Sequence, residues 1–146
     1  MTDIPIKRLR ENAVFPACAT ASSAGADLCA CLDAPAVIGP HETVMIPLGY
    51  AMAIPAGWVG LIFARSGTAS KRGLAPANKV GVVDADYRGE WWVPLHNHGE
   101  QPQTVAPGER IAQLVLVPCL TAAFCETDAL DETERGAGGF GSTGTN

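Results

Sequence analysis

Short runs in which apolar and polar residues alternate, each cut off by glycine or proline, recur along this chain and leave few folds open to it. In HETVMIPLG the residues Val44, Ile46 and Leu48 fall on one face of an extended chain, and YAMAIP continues with Tyr50, Met52 and Ile54. WVGLIFARSG places Val59, Leu61 and Phe63 on one face, and EWWVPLHN and RIAQLVLVP repeat the pattern. Gly39-Pro40, Pro55, Gly57, Pro107-Gly108 and Pro118 punctuate the runs. Strands this short and this closely spaced predict an all-β barrel or sandwich. One short helix is expected, with Ser66 capping a turn that runs through Ala69 to Arg72 and Gly73 ending it.

A chain of 146 residues makes one ordinary domain, and its 47% hydrophobic content supports a core and excludes global disorder. A formal net charge of -5 makes a long nucleic acid a poor partner, since polynucleotide binders carry a basic face. No stretch approaches the roughly 20 apolar residues of a membrane helix. The opening MTDIPIKRLRENAVFPA mixes charges with apolar residues and has no signal-peptide hydrophobic region, so a soluble, cytoplasmic protein is expected. The five cysteines, Cys18, Cys29, Cys31, Cys119 and Cys125, are odd in number and argue against a disulfide framework. Cys29 and Cys31 share one face of a strand in LCACL without further zinc ligands nearby, which predicts reduced, half-buried thiols.

Beyond Pro118 the character changes: Glu126 to Glu134 holds five acidic residues, and a glycine-rich end follows. We therefore expect a compact body over residues 1–125 and a mobile arm over 126–146. Charge placement is more telling than the total. No Lys or Arg lies between Arg10 and Arg65, and seven of the ten basic residues then fall between Arg65 and Arg135. They cluster beside glycines in Arg65-Ser-Gly, Lys71-Arg-Gly, Tyr-Arg88-Gly, Gly-Glu-Arg110 and Arg135-Gly. Arginine beside backbone rich in free N–H groups suits a small anion. One such cluster alone is ordinary surface; several in one small domain point to a compact polyanion site.

The C-terminal RGAGGFGSTGTN contains G-x-x-x-x-G from Gly136 to Gly141, yet Ser142 stands where a P-loop needs lysine and no helix can follow. A P-loop domain is excluded, while Arg135, the Ser142 and Thr143 hydroxyls and the intervening glycine amides remain suited to a phosphate chain. Phe140 is the one large apolar side chain there, either a surface residue or a lid for something flat. In GVVDADYRGEWW, the residues Asp84, Asp86, Tyr87, Arg88 and Glu90 stand together after an apolar run. The plainer reading is a β-hairpin with a polar tip. The functional one is a carboxylate that orients a water beside an aromatic wall, since aspartate is a weak base at neutral pH.

Five ordered segments together resemble the trimeric dUTP diphosphatase (dUTPase) family. They are AGADL (Ala24–Leu28), ARSGTASKRG (Ala64–Gly73), NKVGVVDADYRGE (Asn78–Glu90), GERIAQLV (Gly108–Val115) and RGAGGFGSTG (Arg135–Gly144). The resemblance implies a distorted, jelly-roll-like β-barrel of the β-clip kind with one short helix and a flexible glycine-rich arm. It implies a homotrimer with active sites at subunit interfaces, and no nucleic-acid or membrane partner. The implied reaction is Mg²⁺-assisted hydrolysis of dUTP to dUMP and pyrophosphate by water attack on the α-phosphorus, which supplies dUMP for thymidylate synthesis and keeps uracil out of DNA.

Carried over motif by motif, the catalytic set implied is Asp84, Arg65 and Gln113. Asp84 orients the water and contacts the sugar 3′-hydroxyl, while Tyr87 packs on the deoxyribose and leaves no room for a 2′-hydroxyl. Asn78 and the backbone of Gly81, Val82 and Val83 read the uracil edge. Arg65, Ser66 and Gly67 hold phosphates, and Gln113 contacts the triphosphate. Asp27 holds metal-bound water or supports the site; Mg²⁺ keeps waters and uses substrate phosphates, so no carboxylate cage is required. Arg135, Gly141, Ser142 and Thr143 clasp the γ-phosphate, with Phe140 over the uracil. Three positions depart from the usual pattern: Ala26 where Tyr is common, Thr68 where Leu is common, and Trp92 where Lys or Met is common. Trp92 flanks the substrate or packs in the core or the trimer interface. A dCTP deaminase of the same superfamily and a non-catalytic nucleotide sensor on the same fold are the competing functions.

Overall fold

The alternating runs become strands wherever a face can be buried. The computed structural model describes residues 3–139. Among them lie β1 (Ile6–Arg8), β2 (Ala17–Cys18), β3 (Ala26–Cys29), β4 (Ala36–Ile38), β5 (Thr43–Pro47), β6 (Tyr50–Met52), β7 (Trp58–Ala64), helix α1 (Ser66–Arg72), β8 (Leu74–Pro76), β9 (Gly81–Val83), β10 (Trp92–Asn97), β11 (Gln103–Val105) and β12 (Arg110–Pro118). They assemble antiparallel into a five-stranded sheet ordered β2-β3-β12-β7-β9, a three-stranded sheet β5-β10-β8, and the pairs β1-β6 and β4-β11. This is the all-β, jelly-roll-like architecture expected. Among the described residues no helix is long and apolar enough to cross a membrane.

The five-stranded sheet decides where the site lies, because its two faces differ. Inward, Leu28 meets Ala112, and Ala26, Leu114, Ile62 and Gly81 form one cross-strand row. These pack on Ile46, Leu48, Tyr50, Trp91, Val93 and Leu95 in a single buried cluster. Gly60 lets this layer close: a Cβ there would come within 2.8 Å of Ile54 and 3.3 Å of Trp91. The residues read as one face of β7, Val59, Leu61 and Phe63, point the other way and are only half-buried. Their rows run Val59–Val117, Val82–Leu61–Val115 and Phe63–Gln113–Asp27. The outer face is thus an apolar belt with polar groups at its margin.

Two local expectations are corrected. Ser66 does not cap the helix: Arg65, still extended at φ -84°, ψ 135°, is the N-cap residue, and no side chain caps the end. Strand β7 runs straight into the helix and leaves no turn in which the Ser66 hydroxyl could fold back. Gly73 ends the helix as expected, at φ 65° with its N–H on the Ala69 carbonyl. The stretch from Gly81 to Trp92 is not a hairpin, because β9 pairs with β7 whereas β10 pairs with β5 and β8. Residues 84–91 instead cross from one sheet to another.

All five cysteines are free. Cys29 and Cys31 are fully buried rather than half-buried, and burial raises the pKa of both thiols. Cys18, Cys119 and Cys125 are exposed. From Cys119 to Gly139 no strand or helix forms and nearly every residue is exposed.

Candidate active site

At one end of β7, three of the motifs converge on a cavity of about 470 Å³ lined by Gly25, Asp27, Arg65, Ser66, Gly67, Arg110 and Gln113. The ladder brings them there: Asp27 on β3 stands opposite Gln113 on β12, which stands opposite Phe63 on β7, two residues before Arg65. Asp27 accepts from Arg65 Nε at 2.7 Å on one oxygen and from Arg110 Nη1 at 3.1 Å on the other. The carboxylate therefore spaces two guanidiniums side by side while leaving the cavity a net positive charge. Gln113 Nε2 donates to the Ala64 carbonyl at 2.9 Å. Its Oε1 lies 2.6 Å from where a Cβ on Gly25 would project, so the glycine of AGADL is what admits the Gln113 carboxamide. Beside it, the uncapped start of the helix contains no acidic residue and leaves its first N–H groups without intrahelical partners.

A second group, Asn78, Gly81, Val82, Val83, Asp84 and Tyr87, follows β9, which runs antiparallel along β7 from Ile62 to Gly60 and carries Asp84 to the other end. Asn78 occupies the turn before β9, with its Nδ2 3.4 Å from the position a Gly81 Cβ would take. Strand β9 is a sheet edge, so one row of its N–H and C=O groups has no partner strand among the described residues. Asp84 and Asp86 line a cavity of about 370 Å³ together with Trp58, Val59 and Cys119, and no basic residue lines it. Tyr87 stands 45% exposed and lies across Gly89, where any Cβ would strike its ring. Its hydroxyl donates to the Glu90 carbonyl at 2.9 Å.

The two groups do not meet within one subunit. Val83 pairs with Gly60, so Asp84 falls level with Val59, six residues and about 20 Å along β7 from Arg65. A nucleotide placed against Asp84 finds carboxylates and no basic residue in that cavity, and one placed against Arg65 finds no water-orienting carboxylate free of arginine.

The remaining expected residues divide differently. Trp92 is not a core residue: it is 38% exposed with Arg10 stacked 5.3 Å over its ring, while neighbouring Trp91 fills the core. Arg135 donates to Gly138 O at 2.8 Å within its own segment and has no contact with the Arg65 cluster. Phe140, Gly141, Ser142 and Thr143 lie outside the described residues. Of the five arginine–glycine clusters only two supply the cavity. Arg72 is tied to Glu109, to Gln103 and to the Thr104 carbonyl, and Arg88 binds the Ala85 and Tyr87 carbonyls. Arg110 is the site residue that motif reasoning passed over; its position beside Gly108-Glu109 marked it, but only the register with β3 puts it on Asp27. Among the described residues no three His, Cys, Asp or Glu side chains gather as a metal cluster.

A family model described as dUTPase matches residues 11–144. The chain is 50% identical over 137 residues to a deoxyuridine 5'-triphosphate nucleotidohydrolase of Desulfotalea psychrophila, covering 94% of this chain and 91% of that one. The Staphylococcus bacteriophage 80alpha dUTPase with dUPNHPP matches with a TM-score of 0.91 at 29% identity, over 99% of this chain and 100% of the other. A variant dUTPase from phage phi11 of S. aureus, described with the coordination of a structural Mg(II) ion, matches with a TM-score of 0.82 at 25% identity, over 90% and 100% of the two chains. Sequence match, fold match and the converging motifs agree over nearly the whole length, and the chain belongs to the dUTPase family.

Proposed function

We infer that this protein is a dUTP diphosphatase that works as a homotrimer, each active site assembled from neighbouring subunits. One observation carries the assembly: the phosphate-binding and water-orienting groups stand at opposite ends of one sheet face, about 20 Å apart, with an apolar belt between them. Packing that belt, Val59, Leu61, Phe63, Val82, Val115 and Val117, around a threefold axis removes apolar surface from water. It also sets the Arg65 end of one copy against the Asp84 end of the next.

In such a site the paired guanidiniums of Arg65 and Arg110, the helix-start amides of Ser66 and Gly67, and Gln113 hold the triphosphate. Asp84 accepts a proton of the attacking water and aims its oxygen at the α-phosphorus. Water's oxygen forms the new P–O bond, the bond to the bridging oxygen breaks, and pyrophosphate leaves with that electron pair. Tyr87 covers the sugar where a ribose would carry its 2′-hydroxyl, and the edge backbone of Gly81–Val83 with Asn78 reads the uracil. Asp27 fits a magnesium ion bound mainly through the substrate's phosphates. Two of its roughly four acceptor sites are taken by arginine, and the rest suit a metal-bound water rather than a direct bond. When bound, the ion supplies charge neutralisation on the phosphates. Five free cysteines fit a reducing, cytoplasmic setting.

Pyrophosphate release assayed with dUTP, dCTP, dTTP and UTP in Mg²⁺ tests the reaction, the base and the sugar together. Turnover confined to dUTP is expected. Ammonia release from dCTP would establish a deaminase instead, and tight dUTP binding without turnover would establish a sensor. The shared site has its own test. Asp84→Asn and Arg65→Ala subunits should each be inactive alone, yet unfolding and refolding an equal mixture should restore about a quarter of the sites, because random trimers pair intact halves at that frequency. No recovery would place both residues in sites that a single chain completes.

A further inference from the structure

The turn that presents Asp84 and Tyr87 crosses between sheets, so no ladder holds it, and most of its hydrogen bonds are internal. Tyr87 N–H reaches the Asp84 carbonyl at 3.2 Å, and Arg88 binds carbonyls of the same turn. At its far end, the peptide joining Glu90 to Trp91 is shared: its N–H donates to Tyr50 O at 2.9 Å and its carbonyl receives the Tyr87 hydroxyl at 2.9 Å. One side chain leaves the turn to grip the body. The Glu90 carboxylate takes a bidentate pair from Arg10, Nε at 2.7 Å and Nη2 at 3.1 Å, with the two side chains 19% and 39% exposed. Arg10 is itself fixed by its N–H on the Gly49 carbonyl at 3.0 Å and by its stacking on Trp92. Arg10 precedes the first of the five motifs, and none of the roles assigned above involves it.

We propose that Arg10 is a positioning residue for sugar discrimination: through Glu90 it fixes the peptide that anchors the Tyr87 hydroxyl, and so fixes the aromatic wall against the substrate's C2′. This rests on the reading of Tyr87 as the deoxyribose wall. The bidentate geometry matters because two parallel hydrogen bonds set the angle of the Glu90 side chain and with it the backbone rotation at Cα, which a single point charge does not. With the pair broken, the Glu90 carbonyl tilts, the Tyr87 ring gains freedom over Gly89, and the space closed to a 2′-hydroxyl opens. Trp92 then serves as the surface on which the Arg10 guanidinium rests.

Arg10→Met and Glu90→Gln should each raise the kcat/KM of UTP relative to dUTP by about tenfold, as expected when a positioning group is loosened away from the chemistry. The change should fall mainly in the KM for UTP, and Arg10→Lys should recover only part of the discrimination. The double variant should match either single one. Amide exchange over residues 84–90, measured without nucleotide, should rise about tenfold in the same variants while the core strands stay protected. A UTP:dUTP ratio unchanged within about twofold, together with looser exchange, would overturn the sugar role and leave the dUTP diphosphatase reading standing. A uniform loss on both substrates accompanied by faster exchange throughout would mean the pair is merely structural. Failure of the unaltered protein to hydrolyse dUTP would sink the functional reading itself, a result distinct from either.

Discussion

Replacing Asp84 by Asn should abolish most turnover and leave nucleotide binding intact. Asparagine keeps the shape of the side chain but turns one acceptor oxygen into an N–H donor, so it can no longer take a proton from water or orient it through both lone pairs. A positioned acid–base group contributes about 10²–10⁴-fold, and a loss of kcat in that range is expected. Affinity should be unchanged or slightly better, because the substitution removes a negative charge from the neighbourhood of a triphosphate whose proposed binding groups, Arg65, Arg110 and Gln113, stand elsewhere on the sheet. Pyrophosphate release gives the first quantity, and calorimetric titration with a non-hydrolysable dUTP analogue gives the second. Wild-type turnover by the variant would remove Asp84 from the mechanism.

Ending the chain after Glu134 should yield a folded oligomer with about a hundredfold less activity, the scale expected when a closing segment no longer completes a site. The stability half of this expectation follows from the fold. Leu120, Phe124 and Leu130 are 85–99% exposed, and among the described residues none beyond Pro118 belongs to the buried cluster. The activity half follows from the sequence, in which Arg135, Ser142 and Thr143 concentrate anion-binding groups among glycines whose backbone freedom suits closure over a ligand. Thermal unfolding and sedimentation of the shortened chain, set beside its kcat and KM, separate the two. Unfolding would make the arm structural, and full activity would remove it from the site.

Much of the architecture was legible because a period of two has few interpretations once glycine and proline cut it into short pieces. Alternation alone cannot say which face is buried, however. Val59, Leu61 and Phe63 share one face, as read, but the core took the other, with Gly60 and Ile62, since Trp91 and Ile54 need the space that only a glycine leaves. Motifs located Asp27, Arg65 and Gln113 but not Arg110, whose role depends on a cross-strand neighbour 83 residues away. Arg72 and Arg88 show the converse: the same arginine–glycine signature served helix and turn closure, because Arg72 met acceptors from a distant segment and Arg88 met carbonyls of its own turn. Local sequence likewise suggested a hairpin after Gly81, where long-range pairing sends the two strands to different sheets.

The edge position of β9 bears on how the protein can change. A side chain that reads a base is one codon away from reading another, and enzymes that rely on such contacts can drift in specificity. If uracil is read by the peptide groups of Gly81–Val83, as proposed, that part of the recognition pattern is written in bonds that every residue shares, whatever side chain the position carries. Apart from a change at Asn78, base choice could then shift only by moving the strand itself, which its ladder with Gly60, Leu61 and Ile62 opposes. Fidelity of this kind is inherited with the backbone path and is buffered against point mutation.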